Sequence, residues 1–405
     1  MADVGLGSKP ELLCISTYEK GQAFLLEAAR LGFAVTLLTV HKLREADWPR
    51  EALVWLETMD EQLAPEAVLP HAVRLARHRR FQRVVALDEF DLDTAALVRE
   101  HLRIPGLERT ATRPFRDKLA MRDTAARGGV AVPEFCGVAN HDVLWEFLQR
   151  TAGPWMLKPR ESASAIGIHK FTQPNAVWPL LESLGETASQ HLVECFVPGE
   201  IYHVEGLSWQ GELQFALGHK YGQPPFETMH AGGIFSTRTL DRESEEAREL
   251  LAIHAATLKA LGMRSGPTHS EFIRAHADGR FYFLETAARV GGAYIAEVAE
   301  AASGLNPWVE WARIEWAQVS GVPYRAAPDR GQYAGSTICL ARQQWPDLSG
   351  YDAPEVVHRL EKSHHAGLIL QSGSADRIKA LLGEYTRRFY ADFYARMDAP
   401  ARPTS

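Results

Sequence analysis

The sequence predicts a chain that is α/β at its start and α+β beyond. A doubly wound parallel sheet is expected over residues 1–110, a mixed domain over 111–320 with a small lid subdomain at about 130–200, and a small C-terminal lobe over 321–405. Three observations carry this. Apolar strands alternate with helical patterns through the first hundred residues. Paired short strands around tight turns dominate the middle of the chain. At 405 residues and 46% hydrophobic content, there is material for two to four domains with ample core.

In order, Leu12–Ser16 (LLCIS) is an apolar run ending at Thr17. A helical pattern follows from Gly21 to Leu31 and is stopped by Gly32. Phe33–Val40 is a nearly continuous β-branched strand, Leu53–Leu56 a weaker one, and Ala67–Arg80 a basic amphipathic helix. Val84–Leu87 then ends in Asp88-Glu89 before a helix at Thr94–Leu102. Ligands of such sheets sit at the carboxyl ends of the strands, where Ser16-Thr17 and Asp88-Glu89-Asp91 fall. Neither GxGxxG after the first strand nor GxxxxGK[ST] anywhere is present. This domain therefore reads as a scaffold and substrate wall, not a nucleotide cradle.

Past Pro105-Gly106, Thr112 can cap a helix with Pro114 in its first turn and Gly128-Gly129 at its end. Arg116-Asp117-Lys118 lies early in it and, taken alone, is a solvated charge cluster. Trp155–Lys158 and Ile168–Phe171 are strands flanking the small-residue loop Glu161–Gly167. Backbone N–H groups and the Ser162 and Ser164 hydroxyls of that loop could wrap phosphate oxygens, with Lys158 as a point charge at its base. A surface hairpin is the plainer alternative. A helix (Asn175–Leu184), a strand (Leu192–Val197), a Pro198-Gly199 break and two strands turned at Gln210-Gly211 come next. Glu194–Val197 would lie at a hinge between subdomains.

The segment Pro267–Gly292 reads as a hairpin of Thr268–Arg274 and Arg280–Glu285 turned at Asp278-Gly279. A loop centred on Asp278 sets Glu271 opposite Glu285, with Cβ atoms roughly 5 Å apart. Two carboxylates that close repel unless a cation lies between them or one is protonated, and oxygen-only ligands suit Mg²⁺. Two solvated acids on an exposed hairpin are the alternative. Arg289 adds a cation just beyond. His269 shares a face with Glu271 and is either a contact to substrate or metal-bound water, or a core histidine. Gly291-Gly292 suits close approach to an anion, or a helix-initiating turn. Glu227–Gly233, with His230, is a substrate cover or a plain loop. Helices at Ala293–Ala302 and Pro307–Ser320 carry Trp308, Trp311 and Trp316 as packing residues. The last unit has strands Ser336–Leu340 and Gly367–Leu370 and a helix Asp376–Arg388.

Charge and composition narrow the partners. The net charge is -7, from 44 basic and 51 acidic residues, with no long basic run, which argues against nucleic acid. Four widely spaced cysteines suggest buried thiols in a reducing compartment. The first ten residues hold no apolar signal core, and no apolar run is long enough to span a bilayer, so a cytoplasmic protein without membrane contact is expected.

The order Arg-Asp-Lys118, Lys158 before a Ser/Gly loop, Glu194-x-Phe-Val-Pro-Gly, His203-Val-Glu205, Glu271 and Glu285-x-x-x-Arg289 resembles the ATP-grasp superfamily. Its carboxylate–amine ligases and biotin-carboxylase-like members are the most similar. The likeness covers residues 85 to 300 well. It implies an ATP-grasp domain at 111–320, with ATP and Mg²⁺ (or Mn²⁺) as cofactors. Lys118 and Lys158 would contact phosphates, and Ser162–Gly167, including Ser164, would close over them. Glu194, Phe196 and Val197 would line the adenine slot, and His203 and Glu205 would face the ribose. Glu271 and Glu285 would bind the metal, and Arg289 would hold the acyl phosphate or the transferring phosphoryl group. His230, His269, Gly291 and Gly292 are the candidate substrate contacts. The sequence departs from the family at Ala287, where an asparagine usually follows the second acid. The implied function is formation of an amide between a small carboxylic acid and an amine through an acyl phosphate. The alternatives are a biotin-carboxylase-like enzyme activating bicarbonate and a non-catalytic ATP-binding regulator. A homodimer is the commonest expectation for oligomeric state.

Overall fold

The computed structural model describes residues 9–61, 64–162, 166–224 and 233–396. Four parallel strands form the N-terminal sheet: β1 (Glu11–Ser16), β2 (Ala34–Val40), β3 (Leu53–Met59) and β4 (Phe81–Ala86), in the order β3-β2-β1-β4. Alternate residues of β1 face opposite layers, as the period of a strand requires. Leu13 and Ile15 pack with Val68, Ala72, Ala95 and Val98 of two helices, Pro65–Ala76 and Leu92–Leu102. Leu12 and Cys14 pack with Phe24 and Leu25 of the helix Gln22–Leu31 and with Trp308 and Trp311 of the helix Pro307–Ser320. The rings of Phe24 and Trp311 meet edge to face at 5.2 Å, as do those of Phe33 and Trp316. The tryptophans thus tie the middle of the chain onto the first sheet.

A second, small antiparallel sheet has the order β5-β8-β6-β7, from β5 (Phe135–Gly137), β6 (Trp155–Pro159), β7 (His169–Phe171) and β8 (His191–Cys195). The third sheet is antiparallel and has eight strands. They are β9 (Gly199–Trp209), β10 (Glu212–Tyr221), β11 (Phe235–Thr239), β12 (Gly266–Ala275), β13 (Phe281–Ala287), β14 (Tyr333–Leu340), β15 (Val356–Arg359) and β16 (His365–Ser372). Their order is β13-β12-β9-β10-β11-β14-β16-β15. The sequence reads residues 321–405 as a small lobe. Their three strands instead continue the central sheet, because β14 pairs with β11 from Phe235↔Ile338 to Arg238↔Gly335. Among the described residues, no helix is long and apolar enough to cross a membrane.

Two local expectations are corrected. Thr112 does not cap the helix that carries Lys118. Arg113–Phe115 form a 3-10 turn, and the helix runs Lys118–Arg127 under Asp117, whose Oδ1 accepts from the N–H groups of Leu119 (3.0 Å) and Ala120 (3.4 Å). Asp117 is fixed for this role by Arg160, which donates to it through Nε at 2.8 Å. The strand after His191 stops at Cys195, so Phe196 and Val197 belong to the crossing between the small sheet and β9.

Candidate active site

The β12–β13 hairpin has Glu271 opposite Glu285, the register expected from a turn centred on Asp278. One step further a bulge shifts the ladder, so that Phe272 faces Phe283. Across the neighbouring strands this makes two adjacent rungs on one sheet face. The first runs Glu285, Glu271, His203, His219. The second runs Ala287, His269, Glu205 and Leu217.

The charge of the two acids is answered from three directions. Lys118 Nζ stands 2.9 Å from Glu285 Oε2 and donates to the carbonyl of Ser162 at 2.5 Å, so one lysine ties the hairpin to the loop after Lys158. Tyr221 donates to Glu271 Oε1 at 2.8 Å, and His269 Nε2 lies 3.7 Å from the same oxygen. Burial would raise Glu271, but His269 and Tyr221 hold it below the usual carboxylate range. This facing pair of hard oxygen donors fits Mg²⁺ or Mn²⁺.

Glu205 organises the second rung. Its Oε1 accepts from Nδ1 of His203 at 2.9 Å and from Nδ1 of His269 at 2.6 Å. Ligand atoms of these three side chains all lie within 4.8 Å of one another, and the two hydrogen bonds to a single oxygen account for the cluster without an ion. Burial lowers His203 and His219, whose rings stack at 4.5 Å. His269 is also buried, yet the Glu205 charge outweighs this and pushes it up to about 10. Gly291 packs tightly here. A Cβ at that position would stand 3.0 Å from Glu205 Oε2 and 3.1 Å from His269 Nδ1, whereas one at Gly292 would meet nothing within 4 Å.

A cavity of about 330 Å³ opens beside the hairpin. Lys118, Lys158, Ser162, Glu271 and Glu285 give it a charged wall, while Met156, Ile168, Val197, Ile201, Ile273 and Leu284 give it an apolar one. A molecule with a flat apolar portion and an anionic tail matches that lining. Phe196 also lines it, with Lys170 Nζ 3.5 Å from the ring centroid.

Glu194 lines the cavity too, but its carboxylate is engaged elsewhere. It lies between Lys158 Nζ and Arg122, whose Nη2 donates to Oε2 at 3.0 Å. Burial would raise its pKa, but Lys158 and Arg122 draw it down to about 2. Lys158 is thereby held at the base of the loop by a buried anion. His203 and Glu205 do not line the cavity. They are 0% and 2% exposed, closed in between β12 and β10, so the ribose-facing position implied for them is corrected to a buried supporting one. Gly167 ends the loop with φ of 72°, a conformation suited to glycine. Ser164 and His230 lie outside the described residues.

Arg289 reaches away from the hairpin to the first sheet. Its Nη2 donates to Glu89 Oε2 at 2.7 Å, and Arg116 Nη1 donates to Glu89 Oε1 at 3.2 Å. Glu89 sits in the turn after β4, at the strand ends where a substrate wall was expected. Arg122 and Tyr221, which bond Glu194 and Glu271, lie outside every motif in the sequence. Arg122 was findable, being four residues after Lys118 on the same helix face. Tyr221 carried no local signal.

No protein-family model matches the sequence. Among curated proteins, the L-arginine-specific L-amino acid ligase of Bacillus subtilis is 24% identical over 234 residues, 56% of this chain and 56% of that protein. The chain thus spans little more than half the length of the curated relative it matches. Among solved structures, L-amino acid ligase from Bacillus licheniformis superposes with a TM-score of 0.74 at 19% identity, over 96% of this chain and 100% of that one. N5-carboxyaminoimidazole ribonucleotide synthetase from Thermus thermophilus gives 0.70 at 16% identity, over 95% and 99%. The biotin carboxylase domain of 2-oxoglutarate carboxylase from Hydrogenobacter thermophilus, solved with MgADP, ADP and bicarbonate, gives 0.69 at 14%, over 93% and 90%. At these identities the likeness is one of fold.

Proposed function

We propose that this chain, with its ATP-grasp fold, is an ATP- and Mg²⁺-dependent carboxylate–amine ligase. It would join small amino-acid-like molecules through an acyl phosphate and release ADP and phosphate. The observation that carries this reading is Lys118, bonded at once to the Ser162 carbonyl and to Glu285 opposite Glu271, in a cavity that has both a charged and an apolar wall. That arrangement suits a nucleotide whose base lies on the apolar wall and whose phosphates reach the lysines.

Glu271 and Glu285 would hold the divalent cation, which when bound neutralises phosphate charge and withdraws electrons from the γ-phosphorus. Lys118 and Lys158 orient the phosphate chain, and the Glu194–Arg122 pair keeps Lys158 in place. A substrate carboxylate oxygen attacks the γ-phosphorus as the bond to ADP breaks. An amine then attacks the acyl carbon, phosphate leaves with the C–O electron pair, and the nitrogen gives up a proton. Phosphorylation makes a poor leaving group into a good one, and the loop after Lys158 would shield the intermediate from water. Arg289 and Arg116, gathered on Glu89, supply the cations for an anionic substrate group at the ends of the first sheet.

The test is phosphate release from ATP and Mg²⁺ against pools of amino acids and small carboxylic acids, with mass spectrometry of the products. ADP and phosphate formed only with a particular acid–amine pair, with a product lighter than their sum by one water, is the expected result. AMP and pyrophosphate, or turnover that needs bicarbonate and biotin, would count against it.

A further inference from the structure

We propose that His269 is a metal ligand, its Nε2 supplying a nitrogen donor beside Glu271. The inference rests on the reading above that the β12–β13 hairpin holds the nucleotide's divalent cation.

Position comes first. His269 lies two residues before Glu271 on β12, so both side chains point to the same face. Its partner across the ladder is Ala287, which offers neither a donor atom nor bulk to keep the imidazole from the acids. Orientation comes second. Nδ1 lies 2.6 Å from a carboxylate oxygen of Glu205, and a carboxylate only accepts, so Nδ1 carries the proton and Nε2 is the atom turned to Glu271. Nε2 stands 3.7 Å from Glu271 Oε1, beyond hydrogen-bonding distance. Ligands about 2.1 Å from one ion lie roughly 3.0–3.5 Å apart, so a small closure brings both onto the same cation.

The backing is built for this. Glu205 is 2% exposed and fixed by a second hydrogen bond from His203. Gly291 packs against the Glu205–His269 pair, where a Cβ would stand 3.0–3.1 Å from both side chains. A buried carboxylate that takes the distal N–H of an imidazole is the usual support of a metal-bound histidine, fixing its tautomer and raising its basicity. The cation takes the place of the Nε2 proton, as metal binding to histidine requires. A nitrogen donor also changes the preferred ion: imidazole suits the later first-row metals, with Mn²⁺ the weakest binder of that series.

The experiment is pulsed electron paramagnetic resonance of Mn²⁺ bound to the full chain with β,γ-methylene ATP, whose phosphate chain contains no nitrogen. Nitrogen coupling at the Mn²⁺ is expected in the native chain. It should change to the pattern of the heavy isotope when histidine alone is labelled with heavy nitrogen, a readout that needs no variant. In His269→Ala the coupling should vanish, with the Mn²⁺ dissociation constant raised about 10-fold or more. Bound Mn²⁺ without nitrogen coupling in the native chain, or coupling that survives in His269→Ala, overturns the proposal while leaving the ligase reading intact. Absence of Mn²⁺ binding altogether overturns both.

Discussion

Arg289 donates to Glu89 at 2.7 Å although 200 residues of chain separate them. The contact joins the end of β4 in the first sheet to the turn that follows β13 in the third. Burial alone would raise the Glu89 carboxyl, but Arg289, Arg116 and Lys118 hold it down to about 2. The two sheets are therefore fastened together at the place where the proposed substrate would bind.

Removing Glu89 leaves two buried cations facing each other. Glu89→Ala is expected to lower unfolding stability by about 3–5 kcal/mol. In the protein that remains folded, KM for the acid substrate should rise at least about 10-fold, while ATP affinity changes little. Urea denaturation and steady-state kinetics check the two parts separately. A KM unchanged for the acid would show that Glu89 serves docking alone.

Glu194 links pH to stability. Its folded pKa of about 2 lies below the ordinary 4.5, so its contribution is complete above about pH 4.5 and is lost as pH falls toward 2. The difference corresponds to about 3 kcal/mol. Urea midpoints taken from pH 6 to pH 3 should fall more steeply in the native chain than in Glu194→Gln. Parallel slopes would contradict this account.

Lys118 and Glu285 test the charged wall. Lys118→Ala removes a donor that reaches both the loop and the hairpin, and a fall in kcat of about 10²–10³ is expected. Glu285→Gln should abolish turnover yet leave ATP binding measurable by calorimetry. Full turnover in Glu285→Gln would remove this residue from the metal centre.

The adjacent glycines make a paired control. Gly291→Ala places a methyl against Glu205 and His269, which are buried and bonded to each other, and overpacking of this kind costs about 1–3 kcal/mol. Thermal midpoint and turnover should both drop, whereas Gly292→Ala should leave both near native values.

Much of this was legible in the sequence where the signal was local. The apolar runs of β1, β2 and β4 declare a buried parallel sheet, and the Asp278-Gly279 turn set Glu271 against Glu285 because hairpin register follows from the turn. Contacts distant in sequence were not legible. Nothing near Glu194 says that Arg122 and Lys158 will close on it, and nothing near His203 says that β10 and β12 will bury it from both sides. The helix start at Asp117 was missed for a similar reason, since its fixing partner Arg160 lies 43 residues away.

The pairing of β14 with β11 bears on how the protein can be shortened. A truncated chain ending near residue 320, the boundary that the sequence invites, would strip β11 of its outer neighbour and bare a row of backbone donors and acceptors. Such an edge invites other chains to pair with it, so the shortened protein should precipitate rather than act as a minimal enzyme.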